Sequence, residues 1–544
     1  MQQTVTNPAT VKNPVLEMIG ITKSFGPVKA NDNVNFTLQE GEIHALLGEN
    51  GSGKSTLMNI LAGIYNPDAG EIYLAGEKCR FTSPRQSLEK GIGMVHQHFK
   101  LIDHMSAWEN IIIGTGSGVG LGKAEVVKKL KDLSKTYGIA FDPLKLVKDM
   151  SVGEKQNVEI MKVLYRGATI LVMDEPTAVL TPQEIEGLFG VLRRMRDMGR
   201  SVIFISHKLN EVLDLCSQVT VLRSGRTVGT IATHEITPQT LVELMVGHQV
   251  DLSIERPRPL PRPVCMTVKN LTVRDEHDRL KLNHISFDMR PGEILGVAGL
   301  AGSGQKELCE AIAGLQPKAT GHIEFDGKSL LGHTPREIIR MGISMSFIPE
   351  DRLGMGLVSN MDIVDNVMLK DYAFYKGPWL HRKEAEEKAT AIVNQLEIRT
   401  PGVNQVVSRL SGGNIQKVIL GREINLNPKL LITAYAVRGL DINSSHTIYD
   451  LLNEQKAKGV AILYIGEDLD VLIELCDRIM VLCQGEVTGI VNARKTNKEE
   501  LGLMMAGTVE LSEEEMRQKQ IQQESSDDTP ESPRTSDDCD TAEK

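Results

Sequence analysis

The chain has 544 residues, 24% of them charged and 4% aromatic, and a formal net charge of −10. That length holds about two to four domains, and the acidic balance argues against nucleic acid as the main partner. Between Thr508 and Lys544 stand twelve Asp or Glu and four Lys or Arg, so most of the charge sits there and the remainder is near neutral. Seven scattered cysteines without a C-x-x-C pair give no zinc or iron–sulfur pattern and fit a reducing compartment. No apolar run approaches the ~18 residues of a membrane span, and no basic-then-apolar signal opens the chain. The chain is therefore not read as a permease.

Residues 1–14 read as a polar, disordered leader. Glu17–Ser24 alternates like a strand and ends at Phe25, and Ile43–Leu47 reads as a short buried strand. Gly48-Glu49-Asn50-Gly51-Ser52-Gly53-Lys54-Ser55 follows and fits the phosphate-loop pattern G-x-x-x-x-G-K-[ST]. From Thr56 the apolar spacing becomes helical, so the loop has the strand-loop-helix context a true match needs. Its glycines let backbone N–H groups converge on an anion, and the helix N-terminus adds its dipole. In such a loop Lys54 can reach the β/γ-phosphates and Ser55 can hold Mg²⁺. Further on, Gly93–Gln97 reads as a strand with Gln97 at its end, and Ala124–Tyr137 as a helix. Ser151 is an N-cap opening an apolar-striped helix. Ala168–Met173 is a buried strand ending in Asp174-Glu175, and Ser201–Ile205 another ending in Ser206-His207. Continuous apolar strands alternating with helices predict a mainly parallel α/β sheet covered on both faces, with polar groups at the strand ends.

Residues 249–264 carry four prolines and three arginines and read as a semi-rigid linker. The pattern then repeats. Gly48 matches Gly299, Gln97 matches Glu350, and Ser151, Asp174 and His207 match Ser411, Ala434 and Glu467. The offset drifts smoothly from 250 at Ile21/Leu271 to 260 at the last three pairs. This predicts two tandem copies of one domain, at 15–248 and 265–507. Residues 508–544 read as an acidic, disordered tail.

These motifs in this order resemble the ATP-binding cassette family, in particular subunits with two cassettes in one chain. The resemblance spans about Val15 to Gly507 and implies tandem P-loop ATPase domains, each with a helical subdomain, using ATP and Mg²⁺. In the first half it implies Asp174 as a metal ligand with Ser55 and Gln97, Glu175 as general base, and His207 as the switch residue. Gln97 would sense the γ-phosphate, Phe25 would stack on adenine, and Gly48 through Thr56 would hold the phosphates. Taken alone, His207 reads as a strand-end surface histidine and Phe25 as core; their places relative to the other motifs assign the chemistry.

The second half departs from the family pattern. Gln305 and Lys306 stand at the lysine and metal-hydroxyl positions, Ala434-Tyr435 replaces Asp-Glu, Glu467 replaces the histidine, and Asp275 replaces the aromatic. Losing a general base alone costs roughly 10²–10⁴ in rate, so this half is expected not to hydrolyse ATP. Its signature, Leu410-Ser411-Gly412-Gly413-Asn414-Ile415-Gln416, is nevertheless close to the family consensus. Family cassettes close head to tail, so the resemblance implies one complete composite site, made from the first phosphate loop and Ser411, Gly412, Gly413 and Asn414.

Two cassettes without membrane spans imply two separate integral-membrane permease subunits and, indirectly, an extracytoplasmic substrate-binding protein. The chain itself would lie on the cytoplasmic face of the cell membrane. Permeases would dock near Gln97–Asn110, where Phe99, Leu101, Met105 and Trp108 are contact candidates, and near Glu350–Asn366. The runs Gly93–Phe99 and Met173–Glu184 are similar to the sugar and nucleoside importing branch. Val437-Arg438-Gly439-Leu440-Asp441 and Ile348–Arg352 look more like its nucleoside members. A simple-sugar importer and a soluble, non-transport twin-cassette ATPase remain the alternatives.

Overall fold

The computed structural model describes residues 14–96, 99–114, 122–177, 180–206, 208–248, 253–259, 262–300, 302–347, 356–371, 381–438, 440 and 442–508. Gln97 and His207, the leader up to residue 13, residues 509–544, and parts of the linker and of both expected docking segments lie outside them.

Among the described residues the first half contributes ten strands. β1 (Pro14–Phe25), β2 (Val28–Gln39), β4 (Ala69–Leu74) and β5 (Glu77–Cys79) form an antiparallel sheet in the order β2-β1-β4-β5. β3 (Ile43–Leu47), β6 (Ile92–Val95), β7 (Ile170–Asp174), β8 (Ser201–Ile205), β9 (Gln218–Arg223) and β10 (Arg226–Ala232) form a second sheet in the order β10-β9-β3-β8-β7-β6. It is parallel except for the β9–β10 pair. β3 is buried along its whole length, as its run Ile-His-Ala-Leu-Leu requires for a strand covered on both faces. The antiparallel sheet is an addition to the predicted parallel one. Its signal is the alternation of Val34, Phe36 and Leu38, all buried, with exposed neighbours.

The core of this half forms two layers. One packs Leu46 and the apolar face of the helix Lys54–Leu61 against the antiparallel sheet. The other packs the opposite side of the parallel sheet against the helices Val152–Tyr165 and Pro182–Asp197. Ser151 caps the first of these helices, as its position predicts: its Oγ accepts the Glu154 N–H at 3.2 Å.

The second half repeats the plan. β11 (Met266–Arg274), β12 (Leu280–Met289), β14 (Thr320–Phe325) and β15 (Lys328–Ser329) are ordered β12-β11-β14-β15. β13 (Ile294–Gly299), β16 (Ile343–Phe347), β17 (Leu430–Ala434), β18 (Ala461–Ile465), β19 (Arg478–Cys483) and β20 (Glu486–Asn492) are ordered β16-β17-β18-β13-β19-β20. Read from β20, this is the order of the first half. The repeat in the sequence is therefore a repeat in topology.

By compactness the chain divides into two units. One comprises Met1–Glu255, Ile348–Asn425 and Tyr435–Glu454; the other comprises Arg256–Phe347, Leu426–Ala434 and Gln455–Lys544. The signature of the second half, Ser411–Asn414, thus belongs to the unit that holds the first phosphate loop. In the same unit, Ile442 of the helix Ile442–Ala457 packs against the core of the first half, as does Leu180.

Candidate functional site: the phosphate loop and its strand ends

The loop after β3 is shaped by contacts only glycine permits. A Cβ on Gly48 (φ 152°) would lie 2.3 Å from Leu222 O and 2.4 Å from Ser52 Oγ. One on Gly53 (φ 100°) would lie 2.4 Å from Ala30 O and 2.5 Å from Asn31 Nδ2. Asn31, buried on β2, donates to Gly53 O at 3.1 Å and ties the end of the loop to the antiparallel sheet. The only signal of Asn31 in the sequence is a polar residue on an inward-facing position of β2. The helix Lys54–Leu61 begins directly after Gly53, so the N–H groups of its first turn have no intrahelical acceptor.

Lys54 Nζ donates to Gly48 O at 2.7 Å and to Glu49 O at 3.0 Å, which holds the ammonium over the loop. Ser52 Oγ is buried without a hydrogen-bond partner within the protein. Asn50, Gly51 and Ser55 are exposed and Thr56 is half-buried. A close-approach glycine cradle, first-turn N–H groups, a buried hydroxyl without a partner and one ammonium fit an anionic phosphate chain.

The opposite wall is acidic. Asp174 ends β7 beside Ile205 of β8, and Glu175 follows it, both half-buried. Glu175 takes a left-handed backbone (φ 46°), fixed by its N–H donating to Ile205 O at 2.9 Å. Burial, then the neighbouring Glu175 charge, push the Asp174 pKa up, while Lys54 pulls it down. Burial likewise pushes the Lys54 ammonium down, against the carboxylates of Glu175 and Asp174. The surroundings of Asp174 therefore disfavour its charged form, which a cation would stabilise. Among the described residues no group of three or more His, Cys, Asp or Glu converges on one point. One carboxylate plus a hydroxyl suits Mg²⁺, which takes much of its coordination from substrate phosphates and water.

Phe25 ends β1 with 44% of its surface exposed and meets Tyr65 edge-on, ring centroids 5.2 Å apart. An exposed ring braced by a second ring is suited to stacking on a planar base; Tyr65 was not singled out in the sequence.

In the second half the backbone persists without the chemistry. Gly302 and Gly304 keep left-handed φ values of 88° and 104°. Gln305 is buried and donates to Leu300 O at 3.1 Å, while Lys306 points outward, 3.7 Å from Glu310. Asp275 caps a turn by accepting the N–H groups of His277 and Arg279, each at 2.9 Å. The Asp174 position is the buried Ala434.

The second signature opens the helix Gly412–Ile424. Ser411 at its N-cap is exposed and makes no side-chain bond to the helix backbone; its Oγ accepts Asn414 Nδ2 at 2.9 Å. Asn414 is braced in turn against the backbone of Arg399. Gly412 and Gly413 are half-buried, and a Cβ on Gly413 would meet Leu440 Cδ2 at 3.2 Å. The structure thus brings together Lys54, Ser52, Asp174 and Glu175 around the loop, with Ser411–Asn414 in the same compact unit.

Comparison with known proteins agrees with this geometry. A family model described as ABC transporter matches residues 31–178 and 282–433, one match in each half. The nucleoside import ATP-binding protein NupA of Lactococcus lactis subsp. cremoris is 42% identical over 500 residues, 91% of this chain and 98% of that protein. The guanosine import ATP-binding protein NupO of Bacillus subtilis is 41% identical over 503 residues, with the same coverage. The galactose/methyl galactoside import ATP-binding protein MglA of Haemophilus influenzae is 35% identical over 491 residues, 90% of this chain and 96% of that protein. With a glycine-rich loop and a serine-capped helix standing in the same order in both halves, the acidic strand end kept in the first, and both halves matched, the chain belongs to the ABC transporter family as a protein of two tandem ATP-binding cassettes.

Proposed function

We propose that this chain is the ATP-hydrolysing subunit of a nucleoside importer, working through one composite site. The observation that carries the mechanism is the asymmetry of the halves. Lys54, Ser55, Asp174 and Glu175 survive only in the first, whereas the glycine-rich signature Ser411–Asn414 stands in the second, in the same compact unit as the first loop.

In this reading the loop N–H groups and Lys54 hold the β- and γ-phosphates, and Phe25 stacks on the base. Glu175 accepts a proton from the attacking water, and its fixed left-handed turn holds the carboxylate at the strand end. Ser411 and the N-terminus of its helix cap the γ-phosphate from the other side. Gln97 and His207 complete the set as γ-phosphate sensor and switch. Ser55, Asp174 and Gln97 would hold Mg²⁺, which supplies charge neutralisation at the phosphates. The first cassette is assigned to 15–248 and the second to 265–507, joined by the linker 249–264.

No helix among the described residues is long and apolar enough to cross a membrane. Two membrane permeases supply the path, fed by an extracytoplasmic binding protein, and this chain sits on their cytoplasmic side. The nucleoside substrate is supported by the relatives named for nucleoside and guanosine import, which share 42% and 41% identity against 35% for the galactose/methyl galactoside protein.

Competitive uptake tests both parts. Cells carrying the chain and its permeases receive labelled guanosine or labelled ribose, with Glu175→Gln as control. Guanosine uptake lost in Glu175→Gln is the expected result. Ribose uptake alone moves the chain to the sugar branch, and uptake that survives Glu175→Gln refutes the assigned site.

A further inference from the structure

Thr177, Ser206, Lys208 and Glu211 border the site, and none of them has been given a role above. Glu211 lies in the first turn of the helix Leu209–Leu215. Its Oε2 accepts the Thr177 hydroxyl at 2.6 Å and the Ser206 hydroxyl at 3.4 Å. Its Oε1 lies 3.3 Å from Lys208 Nζ. The Lys208 N–H donates to Ser206 Oγ at 3.1 Å, and its Nζ to Thr177 O at 3.5 Å. Thr177 and Ser206 are 2% and 3% exposed, so the hydroxyl ends of their bonds to Glu211 are buried. Thr177 stands two residues after Glu175, and Ser206 and Lys208 bracket His207 in the sequence. One carboxylate therefore fastens the segment after the base to the segment that carries the histidine.

The second half serves as an internal control. At the offset of 260 the four positions hold Val437, Gly466, Asp468 and Val471. Two valines and a glycine have no side-chain polar atoms, and Asp468 reverses the charge of Lys208. All four members are lost together with the base (Tyr435) and the histidine (Glu467). Yet the second half builds the same six-stranded order, and Tyr435 keeps the left-handed turn at φ 57°. The fold does not demand this network; its loss goes with the loss of the hydrolytic groups.

We propose that Glu211 is a positioning residue for hydrolysis, which through Thr177, Ser206 and Lys208 makes the base-bearing and histidine-bearing segments move as one body. This rests on the reading of the first half as the hydrolysing one.

The test uses the purified full chain, with kcat, KM and the Kd of a non-hydrolysable ATP analogue measured for Glu211→Val, Thr177→Val, their double variant and Thr177→Ser. A misplaced catalytic group loses about tenfold or more in kcat, so each valine variant should lose that much while KM and Kd stay within about twofold. The double variant should lose no more than the worse single one, because both break the same linkage. Thr177→Ser, which restores the hydroxyl, should recover most of the rate. An unchanged kcat in Glu211→Val, multiplicative losses in the double variant, or affinity falling in step with kcat overturns the proposal. Glu175→Gln separates the two readings. If it is inactive beside a fully active Glu211→Val, only the positioning role fails; if it hydrolyses ATP normally, the underlying site assignment fails and the positioning role with it.

Discussion

Glu175 and Tyr435 hold the same unusual backbone, at φ 46° and 57°, each one residue past the end of a parallel strand, β7 and β17. A left-handed turn at a non-glycine residue costs of order 1–3 kcal/mol and persists only where its surroundings enforce it. In the first half, the Glu175 N–H bond to Ile205 O is part of that enforcement. The second half keeps the turn and replaces the carboxylate with a phenol. Its strand-end geometry has outlived its chemistry, so hydrolysis rests on side chains that can be tested one at a time.

Glu175→Gln keeps the shape and the backbone bond and removes only the base. Turnover should fall by roughly 10²–10⁴, the range for a lost general base. Nucleotide affinity should persist, because the loop, Lys54 and Phe25 are untouched. Steady-state phosphate release beside equilibrium binding of labelled ATP separates the two. Tyr435→Glu on the Glu175→Gln background should restore nothing, since Gln305 and Ala434 still lack the cation and the metal ligand.

Asp174 should sacrifice stability for function. Burial and Glu175 raise its folded pKa above the ordinary value of 3.8. Folding thus favours its protonated form. The stability this group contributes is complete below about pH 4 and is lost as pH rises through its folded pKa. At pH 7 it works against the fold. Asp174→Asn should therefore raise the melting temperature at pH 7 in the absence of nucleotide and metal, and abolish Mg²⁺-dependent hydrolysis. The stability difference should close as the pH falls toward 4. Thermal unfolding of both proteins across that range checks the sign.

Much of this was legible in the sequence because the informative residues are local. The phosphate loop, the strands at 43–47 and 201–205, the Ser151 cap and the drifting offset of the repeat follow from spacing alone. The antiparallel sheet was readable in the alternation at Val34, Phe36 and Leu38, but its partners are distant in sequence, and spacing names no partner. Asn31 under Gly53, Tyr65 beside Phe25 and the Glu211 network were not legible. Each depends on side chains meeting across separate elements, and in the sequence Glu211 is one acid among many. Its signal lay in the register of the repeat, where four polar residues of one half correspond to two valines, a glycine and an aspartate in the other.

Gly51 and Gly53 should respond differently to alanine. Both have positive φ, at 82° and 100°. A Cβ on Gly51 meets open space, so Gly51→Ala carries only the left-handed penalty of roughly 1–2 kcal/mol. On Gly53 the Cβ would press on the backbone oxygen of Ala30 at 2.4 Å, which no rotamer change relieves. Gly53→Ala should lower the urea unfolding midpoint further than Gly51→Ala and distort the loop enough to lose nucleotide binding. Equal midpoints would show that the Asn31–Gly53 junction is looser than these contacts imply.

Ser151 and Ser411 occupy equivalent N-caps with opposite expectations. Ser151 Oγ accepts the Glu154 N–H, and Glu154 Oε2 accepts the Ser151 N–H at 2.7 Å, so this serine serves its own helix. Ser151→Ala should cost about 0.5–2 kcal/mol of stability, as for other lost caps, while turnover stays near that of the native chain. Ser411 makes no such bond to its helix, is exposed, and stands in the compact unit that holds the first phosphate loop. Ser411→Arg should leave stability within about 0.5 kcal/mol, as for surface substitutions, yet abolish turnover by filling the place of the γ-phosphate with a side chain. The same Tm and phosphate-release measurements on both variants decide between one composite site and another arrangement. If Ser151 controls turnover and Ser411 does not, the first phosphate loop does not work with the second signature, and the one-site mechanism is wrong.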